Sequence, residues 1–163
     1  MELSLVVNTR DCVGCYACEV ACKQEHNLPV GPRLIRVNPD GPRMINGKLQ
    51  LRYKLDYCQH CENPACKDAC PVNAISVTED GIVTINTALC NGCQKCAASC
   101  PTGVMQFDEV KRIALKCDLC TSRLDRGLKP ACATVCPSHC IYFGSKKEVL
   151  RKLEKSCRTE IKI

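Results

Sequence analysis

The chain has 163 residues, and 18 of them are cysteine against two phenylalanines and no tryptophan. One compact domain or two very small ones fit that length, and so few large aromatics bury little area per residue, so the fold needs a staple. The formal charge of +6 suggests nucleic acid, but no aromatic–basic interleaving of the kind that grips single strands accompanies it.

The N-terminus, Met1 to Arg10, has an acidic second residue and a short apolar run, without a basic leader or a cleavage site. No stretch approaches the roughly 20 apolar residues of a membrane span. The expectation is therefore a cytoplasmic chain with reduced thiols, where abundant cysteine means metal and not disulfides. Ser4–Asn8 reads as a strand. The first cysteine motif follows: Cys12-x2-Cys15-x2-Cys18-x3-Cys22. Pro29, Pro32, Pro39 and Pro42 predict an irregular connection, with Leu34–Val37 and Leu49–Leu55 as strand candidates.

The second motif is Cys58-x2-Cys61-x4-Cys66-x3-Cys70. Ser76 to Asn86 then reads as a hairpin turning at Asp80-Gly81. The third motif, Cys90-x2-Cys93-x2-Cys96-x3-Cys100, precedes a second hairpin formed by Val104–Phe107 and Arg112–Leu115. The fourth is Cys117-x2-Cys120-x11-Cys132-x3-Cys136. Ser145-Lys146-Lys147-Glu148 has capping-box form and starts a tail helix whose apolar face is Val149, Leu150 and Leu153.

Four copies of one pattern thus take sixteen of the 18 cysteines. The repeat runs on past them: Cys70-Pro71, Cys100-Pro101 and Cys136-Pro137 each lead, after two intervening residues, to a small residue and then an apolar one. Proline ends the local helix and turns the chain into a strand. The first motif departs, with Lys23 after Cys22.

The run C-x2-C-x2-C-x3-C-P is the bacterial ferredoxin signature. Three thiolates wrap one cubane in a tight loop, and the fourth, on the short helix that follows, serves the other cluster of a pair. Four motifs then make four [4Fe–4S] clusters. Zinc favours two C-x2-C pairs split by a longer loop, one ion per four ligands. In the first and third motifs the third cysteine follows the second after only two residues, which suits a cubane corner better. Each oxidised site carries about −2, so four bring the loaded chain from +6 to about −2.

Asp11 to Lys23 and Tyr57 to Cys66 resemble the first two motifs of the iron–sulfur subunits of molybdenum and tungsten oxidoreductases. That family includes the electron-transfer subunits of dimethyl sulfoxide, polysulfide and thiosulfate reductases and of formate dehydrogenases. The resemblance covers residues 4 to 145 and implies how the motifs pair, first with fourth and second with third. Carried over, Cys12, Cys15, Cys18 and Cys136 hold one cluster, and Cys22, Cys117, Cys120 and Cys132 its neighbour. Cys58, Cys61, Cys66 and Cys100 hold a third, and Cys70, Cys90, Cys93 and Cys96 the fourth. Cys93 stands where some relatives with a three-iron cluster have tryptophan. The brevity of the chain makes it similar to the small subunits of tungsten aldehyde oxidoreductases and tungsten-dependent benzoyl-CoA reductases.

The remaining residues have plainer readings. Cys140 occupies the register of Ala74 and Val104 and is expected to pack against a cluster. Cys157, closing the tail helix, is expected to be a free thiol. His26, His60 and His139 are not ligands, although His60, inside a cysteine loop, sits where it can tune a cluster. Lys95, Lys116 and Arg123 flank cysteine loops and either raise potentials or lie in solvent. The basic tail Lys146, Lys147, Arg151, Lys152 and Lys155 is either a docking face or the polar side of a helix.

The expectation is an α+β protein of two bacterial-ferredoxin-like modules related by a pseudo-two-fold. Residues 1–52 with 110–144 make one, 53–109 the other, and 145–163 a C-terminal helix. No catalytic constellation stands out, so the chain is read as an electron-transfer subunit and not an enzyme alone. The partners implied are a large molybdenum- or tungsten-pterin catalytic subunit and a flavin-containing or other redox subunit. Nucleic acid and a direct membrane span are not expected. Export in complex with a signal-bearing partner stays open. The alternatives are a stand-alone polyferredoxin and, from another class, a zinc-binding interaction module.

Overall fold

A computed structural model describes residues 2–158, with side chains to Ser156. Chain order runs β1 (Leu3–Val7), α1 (Ala17–Glu25), β2 (Ile35–Ile45), β3 (Lys48–Tyr57), α2 (Ala65–Asp68), β4 (Ile75–Val77) and β5 (Val83–Ile85). It continues α3 (Lys95–Ala98), β6 (Gln106–Asp108), β7 (Ile113–Leu115), α4 (Thr121–Leu124), α5 (Ala131–Val135), β8 (Ile141–Ser145) and α6 (Lys146–Arg158). The class is mixed α+β. The strands pair antiparallel in twos: β1 with β8, β2 with β3, β4 with β5 and β6 with β7.

Proline placement explains the helix lengths. α2, α3 and α5 stop before Pro71, Pro101 and Pro137, because the ring disfavours helix in the residue before it and has no N–H to donate. Lys23 imposes neither limit, so α1 runs on past Cys22 to Glu25. The Lys23 ammonium then ties down the turn that follows, donating to the Pro29 and Pro32 carbonyls at 2.6 and 2.9 Å.

The segment expected to be irregular is a long β-hairpin. Pro29 and Pro32 do lie outside regular structure, but β2 carries Pro39 and Pro42 inside it. A two-stranded ribbon has two edges, and a proline whose missing N–H faces outward costs such an edge nothing. The register breaks between Asp40 and Arg43, the bulge that absorbs the Gly41-Pro42 step.

The shorter hairpins match their turn signals. Ile75 faces Ile85 and Val77 faces Val83, with Gly81 at φ 77° in the turn. In the next hairpin Gln106 faces Leu115. Val104 and Met105, expected at its start, are buried beneath it. β1 and β8 join the two ends of the chain, Leu3 opposite Ser145 and Val7 opposite Ile141. α6 packs on both. Its capping box forms: the Ser145 backbone N–H and hydroxyl donate to Glu148 Oε2 at 3.3 and 2.9 Å, and the Glu148 N–H donates to Ser145 Oγ at 3.4 Å. Its apolar face is narrower than expected. Val149 is fully buried, while Leu150, one residue and about 100° further round, is exposed.

Two apolar clusters result. One gathers Leu5, Leu34, Ile35, Val37, Tyr57, Leu119 and Ile141 around Cys18, Cys22, Cys132 and Cys136. The other gathers Ile75, Val83, Met105 and Ala114 around Cys96. Within the first, the Tyr57 hydroxyl donates to the Leu5 carbonyl at 3.2 Å, tying β3 to β1. Buried Glu19 accepts the Val37 N–H and pairs with Arg33 at 3.3 Å, tying α1 to β2.

Candidate metal centres

The repeat in the sequence is also a repeat in the backbone. The residue two after the first cysteine of each motif has positive φ: Gly14 at 65°, His60 at 47°, Gly92 at 73° and Leu119 at 57°. So does the third residue after each cysteine-proline cysteine: Asn73 at 50°, Gly103 at 60° and His139 at 51°. Those three also donate the same hydrogen bond, N–H to the carbonyl of Cys70, Cys100 and Cys136, at 3.2, 3.2 and 3.1 Å. Reversing the chain in this way folds N–H groups inward onto sulfur. In these turns His60, Ala74 and Leu119 donate to Cys58, Cys70 and Cys117 at 3.5, 3.3 and 3.5 Å, and Ala114, on β7, donates to Cys90 at 3.5 Å.

Four small cavities lie inside these turns, each lined by four cysteines of the repeat. The first is lined by Cys12, Cys15, Cys18 and Cys136. The second is lined by Cys22, Cys117, Cys120 and Cys132. Cys58, Cys61, Cys66 and Cys100 line the third, and Cys70, Cys90, Cys93 and Cys96 the fourth. Each set takes three cysteines from one motif and one from another. A larger open cleft, between His26, Leu34, Thr87 and Lys116, has no cysteine in its lining.

The donor sets fit a cubane and not a single ion. Four sulfurs around one tetrahedral zinc, bonded at about 2.3 Å, stand about 3.8 Å apart. Among the described residues no three cysteine sulfurs lie within 4.8 Å of one another. A cubane carries each thiolate on its own iron and spreads the sulfurs accordingly. Burial pushes the Cys18 and Cys117 thiols up to about 12, and pushes Cys22 and Cys132 up as well. Such thiols ionise only against a positively charged metal core. At Cys100 and Cys136 burial also raises the thiol. There the hydroxyls of Thr102 and Ser138 and the inward N–H groups outweigh it, and the pKa falls.

Those two hydroxyls, 3.4 and 3.6 Å from sulfur, were missed in the sequence, although both sit two residues after the cysteine of a cysteine-proline step. Asp118 was missed too. It accepts the Cys120 N–H at 2.8 Å and the Thr121 hydroxyl at 3.2 Å, fixing the start of α4.

The other singled-out residues separate by burial. Cys140 is buried with Ala74 and Val104 and lines the first cavity, its sulfur 3.5 Å from that of Cys136. The Cys157 side chain lies outside the described residues. His139 and Lys95 are exposed. His26 Nε2 is 3.5 Å from Cys120 Sγ and 3.5 Å from Asp118 Oδ1. Arg123 spends its charge on Glu25, at 3.0 Å. His60 Nδ1 accepts the Val83 N–H at 3.0 Å, so Nε2 carries the proton, buried and without a partner among the described residues. Burial, then the Lys116 charge, lowers the His60 pKa to about 3, so the ring is neutral. Lys116 is buried. In the tail, Lys146 pairs with Glu2 at 2.8 Å.

Comparison with known proteins agrees with this geometry. Residues 49–146 match the family described as "4Fe-4S dicluster domain". The B subunit of the polysulfide reductase of Wolinella succinogenes is 40% identical over 88% of this chain and 76% of its own length. The thiosulfate reductase electron transfer subunit of Salmonella typhi is 37% identical, over 84% of this chain and 72% of its own. The iron–sulfur subunit of the nitrate-inducible formate dehydrogenase of Escherichia coli is 34% identical over 94% of this chain, which spans only 58% of that relative. With these relatives and that matched domain, the chain belongs to the 4Fe–4S dicluster family of iron–sulfur electron-transfer subunits.

Proposed function

We propose that the four cysteine quartets each hold one [4Fe–4S] cluster, in the sets that line the four cavities, and that the chain carries single electrons between a large molybdenum- or tungsten-pterin catalytic subunit and a second redox subunit. The observation that carries this reading is the three-plus-one composition of every cavity. When bound, the clusters supply reversible one-electron couples, at potentials within about −700 to +450 mV.

The chain's own residues order the sites. Cys22 and Cys132 of the second quartet pack in one apolar cluster with Cys18 and Cys136 of the first. Lys116 joins the Cys117 carbonyl of the second to the wall of the third, and Cys66 and Cys100 of the third pack in one cluster with Cys70, Cys90 and Cys96 of the fourth. A line from first to fourth follows. Its ends are where the exposed ligands lie, Cys15 in the first quartet and Cys93 in the fourth, so docked partners reach those two sites. The second quartet is the most enclosed, with Cys22, Cys120 and Cys132 buried.

The same reading divides the fold into ferredoxin-like modules, residues 1–52 with 110–144 and residues 53–109, related by a pseudo-two-fold. The two apolar clusters and the repeated turns support it. Ile82 packs in the first cluster and Ala114 in the second, so the halves interlock at the strands that follow the second and third motifs. Loading sixteen reduced thiols needs a reducing compartment, which places assembly in the cytoplasm, alone or before export with a signal-bearing partner.

The test is metal analysis of the complex captured anaerobically on this chain from its host. About 16 iron atoms per chain, in excess where the partner adds its own, together with molybdenum or tungsten, support the proposal and identify the partner's metal. Iron near that value with neither metal favours a free polyferredoxin. Zinc without iron overturns the reading.

A further inference from the structure

Lysine is almost never fully buried unless its charge is compensated, yet Lys116 is 6% exposed. Among the described residues no carboxylate pairs with its ammonium. It donates instead to two neutral carbonyls, that of Val83 and, at 2.6 Å, that of Cys117. The position of those acceptors is informative. Val83 lies on β5 and, with Lys116, lines the third cavity. Cys117 is a member of the second quartet. One ammonium therefore bonds the backbone of a second-cavity cysteine and, through the same side chain, borders the third cavity.

Val83 is clamped from both sides, its carbonyl taken by Lys116 and its N–H given to His60. The ammonium is thus held by the backbone at the junction and cannot swing out to solvent without leaving both carbonyls unpaired. Its charge lies beside Cys117, whose carbonyl it bonds, and on the wall of the cavity that Cys66 lines. One of these belongs to the second quartet and the other to the third.

We propose that Lys116 is a fixed electrostatic bridge between the second and third cluster sites, raising the potential of both and so keeping the inner pair of the electron path reducible. The inference rests on the ligand sets proposed above. The compensating charge the lysine lacks in the protein is supplied by the loaded sites, about −2 each when oxidised. In a transfer between the two, one electron leaves a reduced site, which goes from about −3 to about −2, and reaches an oxidised one, which goes from about −2 to about −3. The total is unchanged, and a cation between them favours the electron-bearing state at either position. Without it, two neighbouring anionic sites in a low-dielectric interior repel the electron, and the inner pair becomes a barrier.

The test is potentiometric titration, followed by electron paramagnetic resonance, of the anaerobically isolated complex carrying Lys116→Gln or Lys116→Arg. Signals are assigned with Cys132→Ser for the second site and Cys66→Ser for the third. Lys116→Gln is expected to cut the reduced-to-oxidised ratio of the two inner sites about tenfold at fixed ambient potential, which is 59 mV for a one-electron couple. The first and fourth sites should change less than threefold, and Lys116→Arg should restore the inner pair. Equal shifts at all four sites, no shift, or the same shift in both variants overturns the proposal. If Lys116→Gln loses the inner clusters while Lys116→Arg keeps four, the charge holds them and the proposal stands. Loss in both makes the lysine a packing residue. Fewer than four clusters in the unsubstituted chain refutes the ligand sets instead.

Discussion

Gly92 and Gly103 both have positive φ, but only one of them is crowded, and that difference is measurable. At Gly103 (φ 60°) an added Cβ meets nothing within 4 Å. Gly103→Ala therefore carries only the left-handed penalty, about 1–2 kcal/mol. At Gly92 (φ 73°) the Cβ lands 2.3 Å from the Arg112 carbonyl oxygen. That atom is backbone, in the turn between β6 and β7, and must retreat by about 1 Å to reach van der Waals separation. Overpacking adds about 1–3 kcal/mol, so Gly92→Ala should cost about 2–5 kcal/mol in all. The assay is iron release to a chelator from the anaerobic loaded protein, read as loss of visible absorbance. At about 1.4 kcal/mol per tenfold, Gly103→Ala should release iron roughly tenfold faster than the unsubstituted chain and Gly92→Ala at least roughly thirtyfold faster. Gly103→Asn should be close to neutral, since Asn73 holds φ 50° at the matching position. Equal release from the two alanine variants would refute the steric reasoning.

Other substitutions test the packing and the direction of the path. Val149→Ala should loosen α6 by about 1–2 kcal/mol, exposing the tail to limited proteolysis, whereas Leu150→Ala should stay within about 0.5 kcal/mol. Glu19→Ala leaves the Val37 N–H buried and unpaired and should cost about 1–3 kcal/mol; Glu19→Gln, which keeps an acceptor, should cost less, both read as the midpoint of thermal bleaching. Chelation of iron under reducing conditions should abolish the dispersed side-chain signals in a proton NMR spectrum, because cysteines form part of both apolar clusters; a metal-free chain with native-like signals would count against the staple. The family resemblance implies that the first quartet lies nearest the catalytic subunit, so Cys12→Ser should impair coupling to it more than Cys90→Ser, and equal impairment would leave that order unsupported.

Much of this was legible locally. The cysteine spacing announces the clusters because closely spaced thiolates can wrap one cubane in a tight loop, as in the first and third motifs. The prolines after Cys70, Cys100 and Cys136 end their helices whatever surrounds them, and Lys23 lets α1 continue. Asp80-Gly81 turns its hairpin, and Ser145 and Glu148 cap α6. Each rests on bonds or sterics within a few residues.

What the sequence could not yield depends on partners distant along the chain. Positive φ at His60, Leu119 and Gln94 has no glycine to signal it; it is imposed where the loop must close with its N–H groups facing inward. Pro39 and Pro42 argue against a strand until the ribbon is known to have free edges. Pairing of β1 with β8 rewards contact between opposite ends of the chain, which no window of sequence contains. Lys116 differs from Lys95 only in where it ends up. By itself the sequence determined the chemistry, sixteen thiolates in four copies of one motif, because metal ligation is written in residue type and spacing. Spacing alone left open which cysteines share a cavity, a pairing that the family resemblance implied and the tertiary structure gathers, and which lysine lies buried between two of them only that structure decided, because electrostatics and burial act through space and not along the chain.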